Sequence, residues 1–491
     1  MSNANPSDYG LPFKTWRPNQ QEVIDKAVLS SSKVVVINAP TGSGKSGVAV
    51  GAMHVIGGRG AVLTSTKALE AQYIHEHGLA NVHGRANYFC HSYLDCAAGG
   101  MYGCDDPCAY ISDLTKCLAK EVKFTTNYSY YLRKQRANYG LSMLNTLVAD
   151  EAHDLPNILT DLMSVSINED ELKKWEAANY THIDEWAAWA GRVSIELADE
   201  LEDTDDPERK FLLERDLEKF SLLTSADKYW AVDDIDSGKI FQPVSPMKYT
   251  HWLTNTTDKL ILMSASVVPL TMNLLGIKDY DYLTIASTFP VENSPIYAVG
   301  DVHCNYTMSD EDKREQLSYI DNIIRTRLSK KGIIHAVSYD RAMWLKRHSK
   351  YGEHMLVHRP GGQQIGWAVE RFKRRDAPAI LVSPAVTTGY DFPGRQCEYQ
   401  ILMKIPYQNT TARPNLHELR RKYNSNWQWY DVTLNLEQMC GRHIRRETDV
   451  GETFIVDANI RNFLSRNKRM FCARWLECYK DCGLVIPGGK R

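Results

Sequence analysis

Residues 33–40, KVVVINAP, form an apolar, β-branched run that passes through TGSGKS (41–46) directly into GVAVGAMHVI (47–56), and no other stretch restricts the fold as strongly. The run reads as a strand buried on both faces, the glycine-rich stretch as a tight loop, and the continuation as a helix. A strand buried on both faces requires helices on either side, and hence an α/β layer architecture with a parallel sheet. The loop has its own chemistry. Gly42 and Gly44 let the backbone curl until its N–H groups face anionic oxygens at a helix N-terminus, between Thr41 and Ser43. Lys45 then reaches the terminal phosphates of a bound nucleotide, and Ser46 supplies a hydroxyl for Mg²⁺.

Further short apolar runs, AVLTST (61–66), LNTLVADEAH (144–153) and LILMSASVVP (260–269), read as central strands of the same sheet. A second series, GIIHAVSY (332–339), AILVSPAV (379–386) and ETFIVDA (452–458), predicts a second α/β lobe, in keeping with 491 residues, too many for one ordinary core. With 43% hydrophobic and 24% charged residues, the chain can bury enough apolar surface to fold, which excludes disordered and fibrous classes. A net charge of −2 means that any grip on nucleic acid must come from a local basic surface. The polar start, MSNANPSDYG, and the absence of a long apolar run predict a soluble, cytoplasmic protein with no membrane partner.

Asp150-Glu151-Ala152-His153 closes the run NTLVA, which places two carboxylates at the C-terminal end of a strand, where open α/β sheets bind ligands. Asp150 is expected in the Mg²⁺ shell and Glu151 on the attacking water, with His153 beside them coupling the lobes or capping a loop. Cysteines give a second constellation. Of 11, five crowd one segment: Cys90, Cys96, Cys104, Cys108 and Cys117. An odd count in a reducing compartment favours a metal over a disulfide framework. By spacing alone, four thiolates suit zinc or iron–sulfur.

TGSGKS, DEAH, SAS (264–266), TGYDFPG (388–394) and QMCGRHIRR (438–446) occur in the order of superfamily 2 helicase motifs, and the chain resembles that family over most of its length. RPNQ resembles its adenine-reading motif, which assigns Arg17 and Gln20 to ATP. The resemblance implies two RecA-like lobes about ATP and Mg²⁺, with Gln438, Arg442 and Arg445 reaching the γ-phosphate and Arg445 as arginine finger. Gly389 and Asp391 match the motif coupling nucleotide to nucleic acid, while Ser266 stands where threonine is usual. GRANYFC (84–90), Cys108-Ala-Tyr and the downstream NYSYYL (127–132) resemble the iron–sulfur domain of XPD/DinG-like helicases. That resemblance implies a 4Fe-4S cluster on Cys90, Cys96, Cys104 and Cys108, spaced C-x5-C-x7-C-x3-C, in a loop shorter than the family's usual insertion. Cys117 shares a helical face with Leu114 and Leu118 and reads as a core residue, with replacement of Cys96 as the alternative.

Family motifs also assign Thr64, Thr66, Asn127, Tyr128, Ser338, Tyr339 and Thr388 to the nucleic-acid strand, with Tyr128, Tyr130 and Tyr131 as stacking faces or core. The expected layout is a first RecA-like lobe from 1–83, 123–155 and 249–288, a cluster domain at 84–122, a helical arch-like insertion at 156–248 and a second RecA-like lobe at 289–491. The implied activity is ATP-driven 5′→3′ translocation on single-stranded DNA by a monomer, with unwinding of forked or tailed duplexes in repair or replication. An RNA helicase and an ATP-switched scaffold without unwinding are the alternatives.

Overall fold

The run at 33–40 forms the strand β1 (Val34–Asn38), whose side chains are almost entirely buried, and its neighbours follow from the same apolar logic. The structure is a computed structural model that describes residues 4–40, 42–90, 96, 99, 108–137, 141, 143–305, 307–386, 390, 392, 394–441 and 448–488. The chain divides into two units. The first comprises 1–38, 44–285 and 409–428, and the second 39–43, 286–408 and 429–491.

Among the described residues, the first unit holds a seven-stranded sheet. Its remaining strands are β2 (Gly60–Thr64), β3 (Ala80–Asn81), β4 (Lys123–Asn127), β5 (Leu144–Asp150), β9 (Thr257–Ser264) and β10 (Asp281–Thr284). The order is β10-β1-β9-β5-β2-β4-β3, with every pair parallel. One consequence positions the site. β9 lies between β1 and β5, so its last residue, Ser264, pairs with Asn38 on one side while Met263 pairs with Asp150 on the other. Three strand ends that are far apart in sequence therefore meet at one edge of the sheet.

Between β5 and β9 runs the long insertion, expected to be helical. It is mixed. The helices Ile183–Asp203 and Pro207–Thr224 form a hairpin against an antiparallel sheet, β6 (Val165–Asn168), β8 (Gly238–Pro243) and β7 (Trp230–Ile235). The tryptophans that gave the helical signal fill the seam: Trp189 meets Trp186 and Phe220 edge-on at 5.6 and 5.5 Å, and Trp186 meets Phe241 at 5.2 Å. Charged hairpin residues masked the strands, whose alternation is short (β6, VSIN, buries every second residue).

Residues 409–428, expected within a continuous second lobe, instead pack in the first unit. The helix Pro414–Tyr423 lies on β7, with Leu416 in a small apolar cluster with Ala231 and Val244. The carboxylate of Asp233 accepts hydrogen bonds from Arg413 Nε (3.2 Å) and from the backbone N–H groups of Asn415 (2.8 Å) and Leu416 (3.1 Å). An acidic side chain thus satisfies the exposed donors of a helix N-terminus from outside the helix.

The second unit holds the other all-parallel seven-stranded sheet among the described residues. Its strands, in sheet order, are β13 (Met355–Val357), β14 (Ala379–Ser383), β12 (Lys331–His335), β15 (Tyr399–Leu402), β16 (Glu452–Ile455), β11 (Ile296–Ala298) and β17 (Tyr479–Asp481). The helices Tyr339–His348 and Gly362–Arg374 cover its β13–β14 side. Among the described residues no helix is long and apolar enough to cross a membrane.

Candidate nucleotide and nucleic-acid sites

Past β1 the chain turns on itself, the Ser43 hydroxyl donating to the Pro40 carbonyl at 2.7 Å. Gly42 (φ 81°) and Gly44 (φ 84°) both take the left-handed conformation that glycine adopts without strain. The helix then starts at Lys45. Gln20, buried, donates from Nε2 to the Gly44 carbonyl at 3.1 Å and accepts the Arg17 N–H at 3.2 Å. This ties the expected adenine-reading segment to the loop. A Cβ on Gly44 or Gly47 would stand 2.8 or 2.6 Å from Gln20 Nε2, which explains why both positions carry glycine.

Lys45 Nζ lies 3.6 Å from Glu151 Oε1. Asp150 is buried, with Oδ2 accepting the Tyr73 hydroxyl at 2.9 Å and Oδ1 the Glu151 N–H at 3.0 Å; its carbonyl accepts the Tyr128 hydroxyl at 2.7 Å. Burial raises its pKa to about 6, the Glu151 charge adds to the rise, and Lys45 and Tyr73 oppose it. Glu151 itself has φ 55°, a conformation uncommon outside glycine, which turns its side chain back toward Lys45.

Ser264 joins this group from β9. Its hydroxyl donates to Glu151 Oε2 (3.3 Å) and accepts the Ser266 N–H (3.0 Å), and it lies 2.5 Å from His153 Nδ1. His153 is buried, with Nδ1 3.3 Å from Glu151 Oε2 and Nε2 3.4 Å from Asp154. Sequence reasoning weighed Ser266 and missed both Ser264 and Tyr73. The first was readable as the initial residue of SAS, whereas nothing local marks a tyrosine that meets Asp150 from 77 positions away.

Along the same strand ends runs a groove of about 530 Å³ lined by Thr64, Lys67, Asn127, Ser129, Asp154 and Asn157 among others. Thr66 and Asn127 cap helices, accepting the N–H groups of Leu69 (3.3 Å) and Tyr130 (2.7 Å). As acceptors they still keep a hydroxyl or amide hydrogen to donate to a phosphate. In the second unit Ser338 caps a helix in the same way, accepting the Arg341 N–H at 3.1 Å, and Tyr339 packs edge-on against His358 at 5.4 Å. Of stacking face or core, Tyr128, Tyr130 and Tyr131 take the core: all three are buried, their hydroxyls bonding the Asp150 carbonyl, Tyr110 and Thr256, while Tyr128 also lines the groove.

Gln438 lies half-buried on the helix Trp427–Cys440. Thr41, Cys104, Thr388, Gly389, Asp391, Arg442 and Arg445 lie outside the described residues.

In the cysteine segment, the thiols of Cys96 and Cys108 are close enough to interact, and Arg85 Nη1 stands 3.8 Å from Cys96 Sγ. Cys90 is buried. Burial and the Cys108 thiol raise the Cys96 pKa, and Arg85 partly offsets the rise. Cys117 sits fully buried in the main apolar core, its pKa pushed up to about 12 by burial, and Cys96 is buried in the same core. Cys472 and Cys478, near the C-terminus, sit in or against an apolar cluster of the second unit, in keeping with thiols that only pack.

A two-unit α/β fold with Lys45, at the start of the helix after a glycine-rich loop, beside paired carboxylates defines a nucleoside triphosphatase of the helicase type. Residues 17–165 match the DEAD/DEAH box helicase family and residues 334–477 the helicase C-terminal domain. Among solved structures, an XPD helicase aligns over 96% of this chain and 100% of its own at 16% identity, with a TM-score of 0.64. Xpd4 of S. tokodaii aligns over 95% and 100% at 14% identity, with a TM-score of 0.60. No curated protein sequence matches the chain. The chain carries the two helicase domains of a superfamily 2 helicase, and its fold is similar to that of XPD helicases.

Proposed function

We propose that this protein is an ATP-driven DNA helicase that translocates 5′ to 3′ on single-stranded DNA and opens forked or tailed duplexes. The Lys45–Glu151 pair carries the reading. A cation aimed at the terminal phosphates and a carboxylate for the attacking water converge at 3.6 Å, beside a buried Asp150 suited to Mg²⁺. Tyr73 and Ser264 act through these groups, Tyr73 orienting Asp150 and Ser264 tying Glu151 to His153. Arg442 and Arg445 would complete the phosphate clamp and Gly389 and Asp391 would couple it to the strand, on the strength of the motif resemblance alone.

Cys90, Cys96, Cys104 and Cys108 would hold a 4Fe-4S cluster, which would supply a rigid wedge rather than redox chemistry. The adjacency of Cys96 and Cys108 supports this ligand set; Cys96 and Cys117 share the apolar core, so Cys117 in place of Cys96 is the alternative. The polarity and the preference for DNA over RNA rest on likeness to the XPD/DinG group, and a role in repair or replication follows the same likeness. Strand displacement on 5′- and 3′-tailed duplexes, alongside ATPase stimulation by single-stranded DNA and RNA, tests the proposal. Wild type should open 5′-tailed DNA, and Lys45→Ala should lose turnover while still binding single strands. Stimulated turnover in Lys45→Ala would defeat the assignment, and turnover without displacement would favour the scaffold.

A further inference from the structure

Of the eleven tryptophans, Trp367 alone is exposed, with 60% of its surface open to solvent. A lone exposed ring is ordinary on a protein surface; what stands around this one is not. The ring is firmly mounted. Its helix, Gly362–Arg374, buries Ala368, Val369 and Phe372 on the opposite face, and the buried Lys331 ammonium donates to the carbonyls of Phe372 (2.8 Å) and Lys373 (2.9 Å) at the helix C-terminus.

The surroundings select the occupant. Gln363, Gln364 and Trp367 line an open cavity of about 400 Å³. One turn further on, the Arg371 guanidinium sits 5.1 Å from the Trp367 ring centroid. At Gly361, Gly362 and Gly366 nothing lies within 4 Å of where a Cβ would stand, so a ligand can approach the backbone closely. Residues 359–375 carry five basic side chains, Arg359, Arg371, Lys373, Arg374 and Arg375, against one acid, Glu370, which lies 3.6 Å from Lys373. In a chain of net charge −2 this is a local cationic surface. An aromatic face, flanking guanidinium groups and neutral amides together match an unpaired base with its adjoining phosphates. An acidic protein would match the charges and leave the flat ring unused.

We propose that Trp367 is a stacking platform for one base of a bound single strand, with Arg371 and Arg374 meeting the neighbouring phosphates and Gln363 and Gln364 the base edge. The inference rests on the nucleic-acid-motor reading above and adds a contact in the second unit. The test uses the full-length protein and fluorescein-labelled oligothymidylate, beside an equal-length strand with a central abasic run. By fluorescence anisotropy, Trp367→Ala should bind the normal strand roughly tenfold more weakly and Trp367→Phe less than about threefold, in line with base–aromatic stacking. On the abasic strand, wild type and Trp367→Ala should bind alike. Arg371→Gln should shallow the dependence of log affinity on log salt by about one unit. ATP turnover without nucleic acid should be unchanged in every variant. Equal binding of both strands by Trp367→Ala and wild type overturns the platform while leaving the motor reading intact, and so does an equal loss on both strands. A wild type that binds no single strand defeats both.

Discussion

Asp150 and Glu151 are neighbours in sequence, yet their environments set them different tasks. Tyr73 and burial fix Asp150, whereas Glu151 reaches Lys45 with one oxygen and Ser264 with the other. Ser264→Ala would leave Glu151 and His153 without their shared hydroxyl. We expect nucleotide affinity within about twofold of wild type and a turnover about tenfold lower, read as a fall in kcat at constant KM. A second buried acid lies outside the phosphate site. Glu70 is almost fully buried, 3.3 Å from His83, and burial raises its pKa to about 7, with Lys67 partly offsetting the rise. Burial also lowers the pKa of His83, so both groups favour their neutral forms. The folded protein then holds a proton on Glu70 that the unfolded chain has released, and stability falls as pH rises from about 4.5 to about 7. Glu70→Gln should therefore stabilise the protein by about 1–3 kcal/mol at pH 8 and by much less at pH 5, as thermal melts at the two values would show.

At the scale of elements, the N-terminal end of the docked helix in segment 409–428 is anchored by one residue. The Asp233 side chain is fully buried and takes three hydrogen bonds from Arg413, Asn415 and Leu416. Asp233→Ala would strand a guanidinium and two helix N–H groups, a loss of about 3 kcal/mol. Hydrogen exchange should then quicken across 409–428 and over β7, and trypsin should cut first at Arg420 or Arg421. This docking was not legible in the sequence, because Asp233 and Arg413 sit 180 positions apart with no shared motif. By contrast β1, β2, β5, β9, β12, β14 and β16 were legible as apolar runs, since strands covered on both faces have no polar side to show. Edge strands such as β3 and β17, two and three residues long, carry no such signature. In the site, Lys45, Asp150 and Glu151 were readable because backbone geometry demands those residue types at fixed spacing. Tyr73 was not, since its partner is set only by the order of strands.

The same strand order bears on how the molecule would respond to losing its proposed metal. The cysteine segment leaves the sheet after β3 and returns at β4, the outermost pair of β10-β1-β9-β5-β2-β4-β3. The nucleotide-binding ends of β1, β9 and β5 stand on the far side of β2, so a local opening of residues 84–122 need not disturb them. The segment's links inward are Cys96 and Cys117 in the apolar core and the Tyr110–Tyr130 hydroxyl pair at 2.9 Å, of which Cys117 and Tyr110, on the helix Ala109–Leu118, lie beyond the last proposed ligand, Cys108. Anaerobically purified protein should be brown with about four irons. Oxidation and chelation should bleach it, abolish strand displacement, and leave ATP turnover without nucleic acid within about twofold. Cys96→Ser and Cys108→Ser should reproduce that separation, whereas Cys117→Ser should keep the iron and lower the melting temperature by burying a hydroxyl among apolar groups. Colourless protein with stoichiometric zinc would replace the iron assignment, and collapse of basal turnover on metal loss would mean that the segment supports the sheet itself.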